Sequence, residues 1–201
     1  MKRIAVLASG QGTNLEAILE AVERDEIAGR VVVVISDREQ SPALERASRR
    51  NVRAIFVNPG DYAGRMQYDQ AIVDELKQES VDLVVLAGFM RLISPPFVRA
   101  FPMQIMNIHP ALLPAFPGLD GVEQALAYGV KLTGCTVHFV DEGLDTGPVI
   151  LQESVPIMQY DTILTLHQRI HAVEYRLYPM AINLFCRDKL RVEGRRCFII
   201  A

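Results

Sequence analysis

The chain has 201 residues, half of them hydrophobic and 22% charged, as in a folded globular protein with one sizeable core. A net charge of -3 and a pI near 5.8 argue against a surface that displaces counterions from nucleic acid, and point instead to small-molecule substrates. Cys135, Cys186 and Cys197 form no CxxC pair, so no disulfide framework or thiolate metal site is expected, and a reducing, cytoplasmic setting is. The apolar run Ile4 to Ala8 is too short for a signal sequence and no other run approaches membrane-spanning length. With no linker, repeat or low-complexity tract, one domain over 1–201 is predicted, and the residues leave monomer and homodimer equally open.

Ile4 to Ala8 reads as a strand closed by Gly10 and Gly12, with Asn14 able to cap a helix whose apolar face is Leu15, Ile18, Leu19 and Val22. Val31 to Ile35 is β-branched at every position, which fits a strand covered on both faces, and Ala54 to Val57 is a weaker strand. Ala43 to Arg50 has room for a helix between them. A longer helix is predicted over Asp61 to Lys77, then a strand from Val81 to Leu86. This alternation implies right-handed βαβ units and a parallel sheet. Met106 to His109 is a strand stopped by Pro110, which has no amide hydrogen for a ladder. Thr133 to Val140 and Pro148 to Val155 are strands joined through Asp141 to Gly147, and Thr162 to Phe185 is a long helix. The expected fold is a single-domain open α/β sheet, Rossmann-like, parallel in its first half and mixed in its second. Ligands in such sheets sit beyond the carboxyl ends of the strands.

Three motifs carry chemistry. Ser9-Gly10-Gln11-Gly12-Thr13-Asn14 joins a strand to a helix, where backbone amides and the positive helix end can hold a phosphate. It is neither G-x-G-x-x-G nor a P-loop, so a dinucleotide cofactor is unsupported, and a plain tight turn also fits. Asn107 and His109, two apart on a strand, point to one side: the amide can donate to a developing oxyanion and the imidazole can move a proton. A satisfied buried histidine beside a turn asparagine fits that spacing equally well. In the Asp141 to Gly147 loop, Asp145 could orient a histidine and favour its charged form, while the spacing is wrong for calcium. His167, His171 and Glu174 share a helix face but lack the glutamate of H-E-x-x-H, so no metal site is expected.

In this order the motifs resemble the glycinamide ribonucleotide formyltransferase family across nearly the whole chain: Ser9 to Asn14, Leu86-Ala87-Gly88-Phe89-Met90-Arg91, Asn107-Ile108-His109-Pro110 with Leu112-Leu113-Pro114, and Asp145-x-Gly147. The resemblance implies direct transfer of the formyl group of 10-formyltetrahydrofolate to the amine of glycinamide ribonucleotide, in purine synthesis. It implies Asn107, His109 and Asp145 as the catalytic set, Gly12, Thr13 and Asn14 on the phosphate, and Glu174 on the ribose. Arg65, Met90, Arg91, Leu92, Ile93, Asn107 and Asp141 would line the folate pocket. Departures fall at Ala111, often Ser in the family, at Val122 beside the loop Pro117 to Gly121, where a His is common, and at His171, where Lys or Gln is more usual.

Competing readings are a formyltetrahydrofolate hydrolase, expected to carry an extra N-terminal domain; a methionyl-tRNA formyltransferase, expected to carry an RNA-binding domain; and a non-catalytic phosphometabolite-binding module. The last would not require Asn107, His109 and Asp145 together.

Overall fold

The computed structural model describes residues 1–200. Among them nine strands form one sheet in the order β3-β2-β1-β4-β5-β6-β7-β9-β8. β1 (Lys2–Leu7), β2 (Gly29–Ser36), β3 (Arg53–Phe56), β4 (Leu83–Leu86) and β5 (Ile105–His109) are mutually parallel. β6 (Leu132–Phe139) runs antiparallel to β5, and β7 (Val149–Pro156) antiparallel to β6. The β-branched run lies in β2, where Val33, Val34 and Ile35 are fully buried, each worth about 1.5–3 kcal/mol relative to exposure.

The helices divide between two faces. α1 (Thr13–Glu23), α2 (Pro42–Arg49), α5 (Gly121–Tyr128) and α6 (Ile163–Cys186) cover one, against Ile4, Val6, Val34, Val85 and Met106. α3 (Arg65–Gln78) and α4 (Pro95–Ala100) cover the other, against Ala5, Leu7, Ile35, Val84 and Ile105. Handedness dictates this division. Crossovers that move one way from β1 and the other way to β4 and β5 must place their helices on opposite faces. The loops after β1 and β4 therefore part where the strand order reverses, and a crevice opens there.

Several elements depart from the sequence expectation. Gly12, in the left-handed region with φ 69°, takes the cap position before α1, so Asn14 lies inside the first turn and does not cap it. α3 starts at Arg65, because Asp61 belongs to a short 3-10 turn, Pro59–Asp61, whose Gly60 amide donates to the Asn58 side chain. α4, α5 and an edge hairpin of β8 (Leu190–Glu193) and β9 (Arg196–Ile199) add to the expected elements. Gly121 and Val122 belong to the first turn of α5, with Val122 buried, rather than to a free loop.

Candidate active site

β5 ends at Pro110, and its alternation sends Met106 and Ile108 into the core under α6 while Asn107 and His109 point to the opposite face. The antiparallel register sets His138 of β6 directly across from Asn107, and Thr136 across from His109. Asp145 returns over this face on the loop after β6, held in the left-handed region at φ 52°. Its return needs Gly147, where an added Cβ would lie 1.8 Å from the Phe139 carbonyl oxygen.

Four side chains meet there. Asp145 Oδ2 lies 3.6 Å from His109 Nδ1 and accepts the Gly118 amide at 2.7 Å; Asp145 Oδ1 lies 3.7 Å from His138 Nε2. His109 Nε2 is 2.7 Å from the Phe116 carbonyl. The imidazole is thus hydrogen-bonded at Nε2 and faces the Asp145 carboxylate with Nδ1. His138 is different. Burial pushes its pKa below the ordinary value, so the ring is neutral; Nδ1 donates to the Phe139 carbonyl at 2.8 Å and Nε2 is left to accept from Asn107 Nδ2 at 3.3 Å. One Asn107 amide hydrogen is thereby anchored and the other stays free. His138 is the residue that sequence reasoning missed; its two-residue spacing from Thr136 was visible, but its register against Asn107 was not.

The loop Ala87 to Ile93 leaves the end of β4, whose Leu86 pairs with Asn107. It is tied to the β1 loop by Ser9, whose amide donates to the Gly88 carbonyl at 3.1 Å and whose hydroxyl accepts from the Met90 amide at 2.9 Å. Met90 and Leu92 are exposed, an apolar rim on an otherwise polar edge. Arg65 donates to the Ile93 carbonyl, and buried Asp69 takes the Ser94 amide at 2.6 Å. Arg91 stacks 5.1 Å over Tyr68 and reaches Asp37 at 3.7 Å. Asp141 spends Oδ1 on the Gly143 amide and the Thr146 hydroxyl, which shapes its own loop.

On the other face, the buried Glu174 carboxylate joins α6 to α1. Its Oε2 accepts from Asn14 Nδ2 at 3.0 Å and lies 2.7 Å from His171 Nδ1, which holds His171 above its ordinary pKa. His167 packs on His171 with ring centres 4.1 Å apart, and burial together with the neighbouring imidazole lowers its pKa. No group of three or more His, Cys, Asp or Glu side chains able to hold a metal ion occurs among the described residues. α1 carries no side-chain cap, so its first amides remain open, and Asn14 Oδ1 is buried without a partner.

The formyl transferase family pattern matches residues 2–182. A phosphoribosylglycinamide formyltransferase of Bacillus subtilis is 43% identical over 91% of this chain and 94% of its own length. The chain belongs to the phosphoribosylglycinamide formyltransferase family. The solved glycinamide ribonucleotide transformylase 1 of Symbiobacterium toebii superposes with a TM-score of 0.98 at 53% identity, over 100% of this chain and 95% of that one. The trifunctional purine biosynthetic protein adenosine-3 of Bos taurus is 41% identical over 98% of this chain, which spans 20% of that larger protein. A formyltetrahydrofolate deformylase of Pseudomonas syringae shares the fold with a TM-score of 0.93 but 26% identity, and this chain covers 66% of it. Within the formyltransferase fold, the sequence-predicted residues fall into three groups past the carboxyl ends of the parallel strands: Asn107, His109 and Asp145 converge; Arg65 and Met90 to Ile93 form the rim beside them; Asn14 and Glu174 join on the face covered by α1 and α6.

Proposed function

We propose that the chain transfers the formyl group of 10-formyltetrahydrofolate to the amine of glycinamide ribonucleotide in purine synthesis, in the cytoplasm, acting on small molecules and without a resident metal. The observation that carries this reading is the convergence of Asn107, His109 and Asp145 at the end of β5, with an uncapped helix start after β1 at the same end of the sheet, in a chain of this family. The glycinamide nitrogen attacks the formyl carbon, a C–N bond forms and the carbonyl oxygen becomes an oxyanion. The free Asn107 N–H and the His109 imidazolium stabilise that charge, and Asp145 orients the imidazole. Collapse breaks the bond to the folate nitrogen, and the proton lost by the attacking amine passes by way of His109 to the leaving nitrogen. Bond count and charge balance without a covalent enzyme intermediate.

Each ligand finds groups suited to it. The open amides at Gly12, Thr13 and Asn14 suit a phosphate, and Glu174 with the unpartnered Asn14 Oδ1 would accept from sugar hydroxyls. The apolar rim of Met90 and Leu92, the cations Arg65 and Arg91, and the loop bearing Asp141 suit a folate with its ring and acidic tail. Three free thiols are consistent with a reducing compartment; burial pushes Cys135 up to about 12 and Cys186 up to about 11, so both are inert. No helix among the described residues is long and apolar enough to cross a membrane.

The test incubates purified protein with 10-formyltetrahydrofolate and follows folate release with and without glycinamide ribonucleotide. Release only with the nucleotide supports transfer; release without it makes the protein a hydrolase, and binding without release makes it a non-catalytic module.

A further inference from the structure

The glycine loop is held from behind. Ser41, which caps α2 by accepting the Ala43 amide at 3.3 Å, donates its hydroxyl to the Gly10 carbonyl at 2.9 Å. Arg46, one turn further along α2, donates Nε to the Gln11 carbonyl at 2.9 Å and Nη1 to Glu16 of α1 at 2.7 Å. Two successive carbonyls of the loop are thus drawn toward α2. In a trans peptide the C=O and the following N–H point in opposite directions. Drawing the Gly10 and Gln11 carbonyls back therefore turns the Gln11 and Gly12 amides away from α2, toward the open start of α1, and neither amide has an acceptor among the described residues. The packing allows little slack at one point: a Cβ at Gly12 would lie 2.9 Å from Ala43 Cα and Cβ, so the loop rests on α2 there.

Arg46 has a second task. Glu16 sits in the first turn of α1, where a bare carboxylate would repel an incoming anion, and Arg46 together with Arg50 closes over it at 2.7 and 2.5 Å. Thr13, Glu16 and Arg46 line one open groove with Tyr175 and Arg176 of α6, so the paired carboxylate faces the groove beside the first residue of α1.

We infer that Ser41 and Arg46 are positioning residues of the nucleotide subsite, which aim two loop amides at the phosphate of the substrate and screen Glu16 from it. The inference rests on the reading of the glycine loop as the phosphate cradle. Both act through the Gly10 and Gln11 carbonyls that they hold. Removing either should let a peptide plane rotate and misdirect one amide, raising the nucleotide KM about 10-fold per lost contact, the usual worth of a hydrogen bond to a charged group.

The experiment varies each substrate in turn for Arg46→Met, Ser41→Ala, Ser41→Thr and Arg46→Met with Glu16→Gln, and titrates nucleotide by calorimetry. Arg46→Met and Ser41→Ala should raise the nucleotide KM and Kd while kcat and the folate KM stay within about twofold, and Ser41→Thr, which keeps the hydroxyl, should restore the nucleotide KM. The double variant separates the two tasks of Arg46: a nucleotide KM still raised means the amide has lost its aim, and full recovery means that only charge screening was lost, which overturns the aiming role. Equal rises in both substrates' KM, tracking a lower melting temperature, would show that α2 only supports the fold, and overturn the inference. Gly10→Ala, whose Cβ meets nothing within 4 Å in the free protein, reports on the cradle itself. Nucleotide affinity lost in Gly10→Ala but intact in the α2 variants refutes the positioning role alone, whereas affinity intact in all of them removes the loop from the nucleotide site.

Discussion

Replacing His138 with phenylalanine keeps a ring of similar shape in a side chain that is only 1% exposed and removes both of its hydrogen bonds. The Phe139 carbonyl loses its 2.8 Å donor inside the protein, and Asn107, which is partly exposed, loses a longer 3.3 Å acceptor that water can replace. The first loss costs about 1–2 kcal/mol and the second about 0.5–1, so the variant should unfold about 2 kcal/mol more easily in urea. Its kcat should fall about 10-fold with both KM values unchanged, because the Asn107 amide is still present but no longer held. The pH dependence gives a second reading. The folded pKa of His138 lies below the ordinary 6.5, so in the window beneath 6.5 the unfolded chain binds a proton that the native state refuses. Stability must then drop as pH falls, by at most about 1.4 kcal/mol per pH unit for one group, and the variant should lack that part of the slope. Protonation would also turn Nε2 into a donor facing the Asn107 amide. Denaturant midpoints and steady-state kinetics between pH 5 and 8 decide the matter. An unchanged kcat in a destabilised variant would make His138 a packing residue, and a slope equal to the parent's would refute the neutral buried ring.

Asn107→Ala removes the proposed oxyanion donor and should lower kcat by roughly 10²–10³-fold, more than His138→Phe does; a raised KM at constant kcat would make Asn107 a binding residue. Asp145→Asn keeps an acceptor for the Gly118 amide while removing the charge beside His109, so kcat should fall steeply with a melting temperature near that of the parent, and an activity loss that merely follows early melting would reduce Asp145 to a loop residue. Exhaustive chelation should leave full activity; recovery of lost activity on adding metal would bring His167, His171 and Glu174 back as ligands.

The parallel half of the sheet was legible because its signals are local. Five β-branched residues in a row admit few structures other than a covered strand, and Pro110 ends β5 wherever the chain goes next. Asn107 and His109 were legible as a pair for the same reason, since spacing on one strand fixes their common side. What remained hidden depends on distant partners. Asn14 looked like a cap because asparagine caps helices, but the start of α1 is set by the left-handed turn at Gly12, and the Asn14 amide reaches Glu174, 160 residues away. α4 went unassigned because it is short and opens on Pro95 and Pro96, although proline is tolerated in a first turn, where its missing amide costs nothing. Burial in β8 and β9 around Gly194 is only partial and alternates in β8 alone, since an edge hairpin buries too little to mark its sequence. His138 entered the site only through register.

The placing of the three residue groups follows from topology more than from any one side chain. Because β2 and β3 lie on one side of β1, and β4 and β5 on the other, right-handed crossovers put α1 and α2 on one face and α3 and α4 on the opposite face. The two loops that leave β1 and β4 must diverge, and the backbone between them cannot be closed by a helix from either side. Ser9 spans the floor of that gap through the Gly88 carbonyl and the Met90 amide, so the glycine loop and the apolar rim are fixed to one another before any ligand arrives. Asn107 and His109 stand two strands from β1 on the α3 face, while Asn14 and Glu174 stand on the α6 face. An anion held at the start of α1 and a planar ring held against Met90 and Leu92 would therefore come from opposite faces and have only the open edge over β1, β4 and β5 in which to meet. A reaction between two substrates needs that approach, and a hydrolase using the same Asn107, His109 and Asp145 would have no use for the α6 half of it.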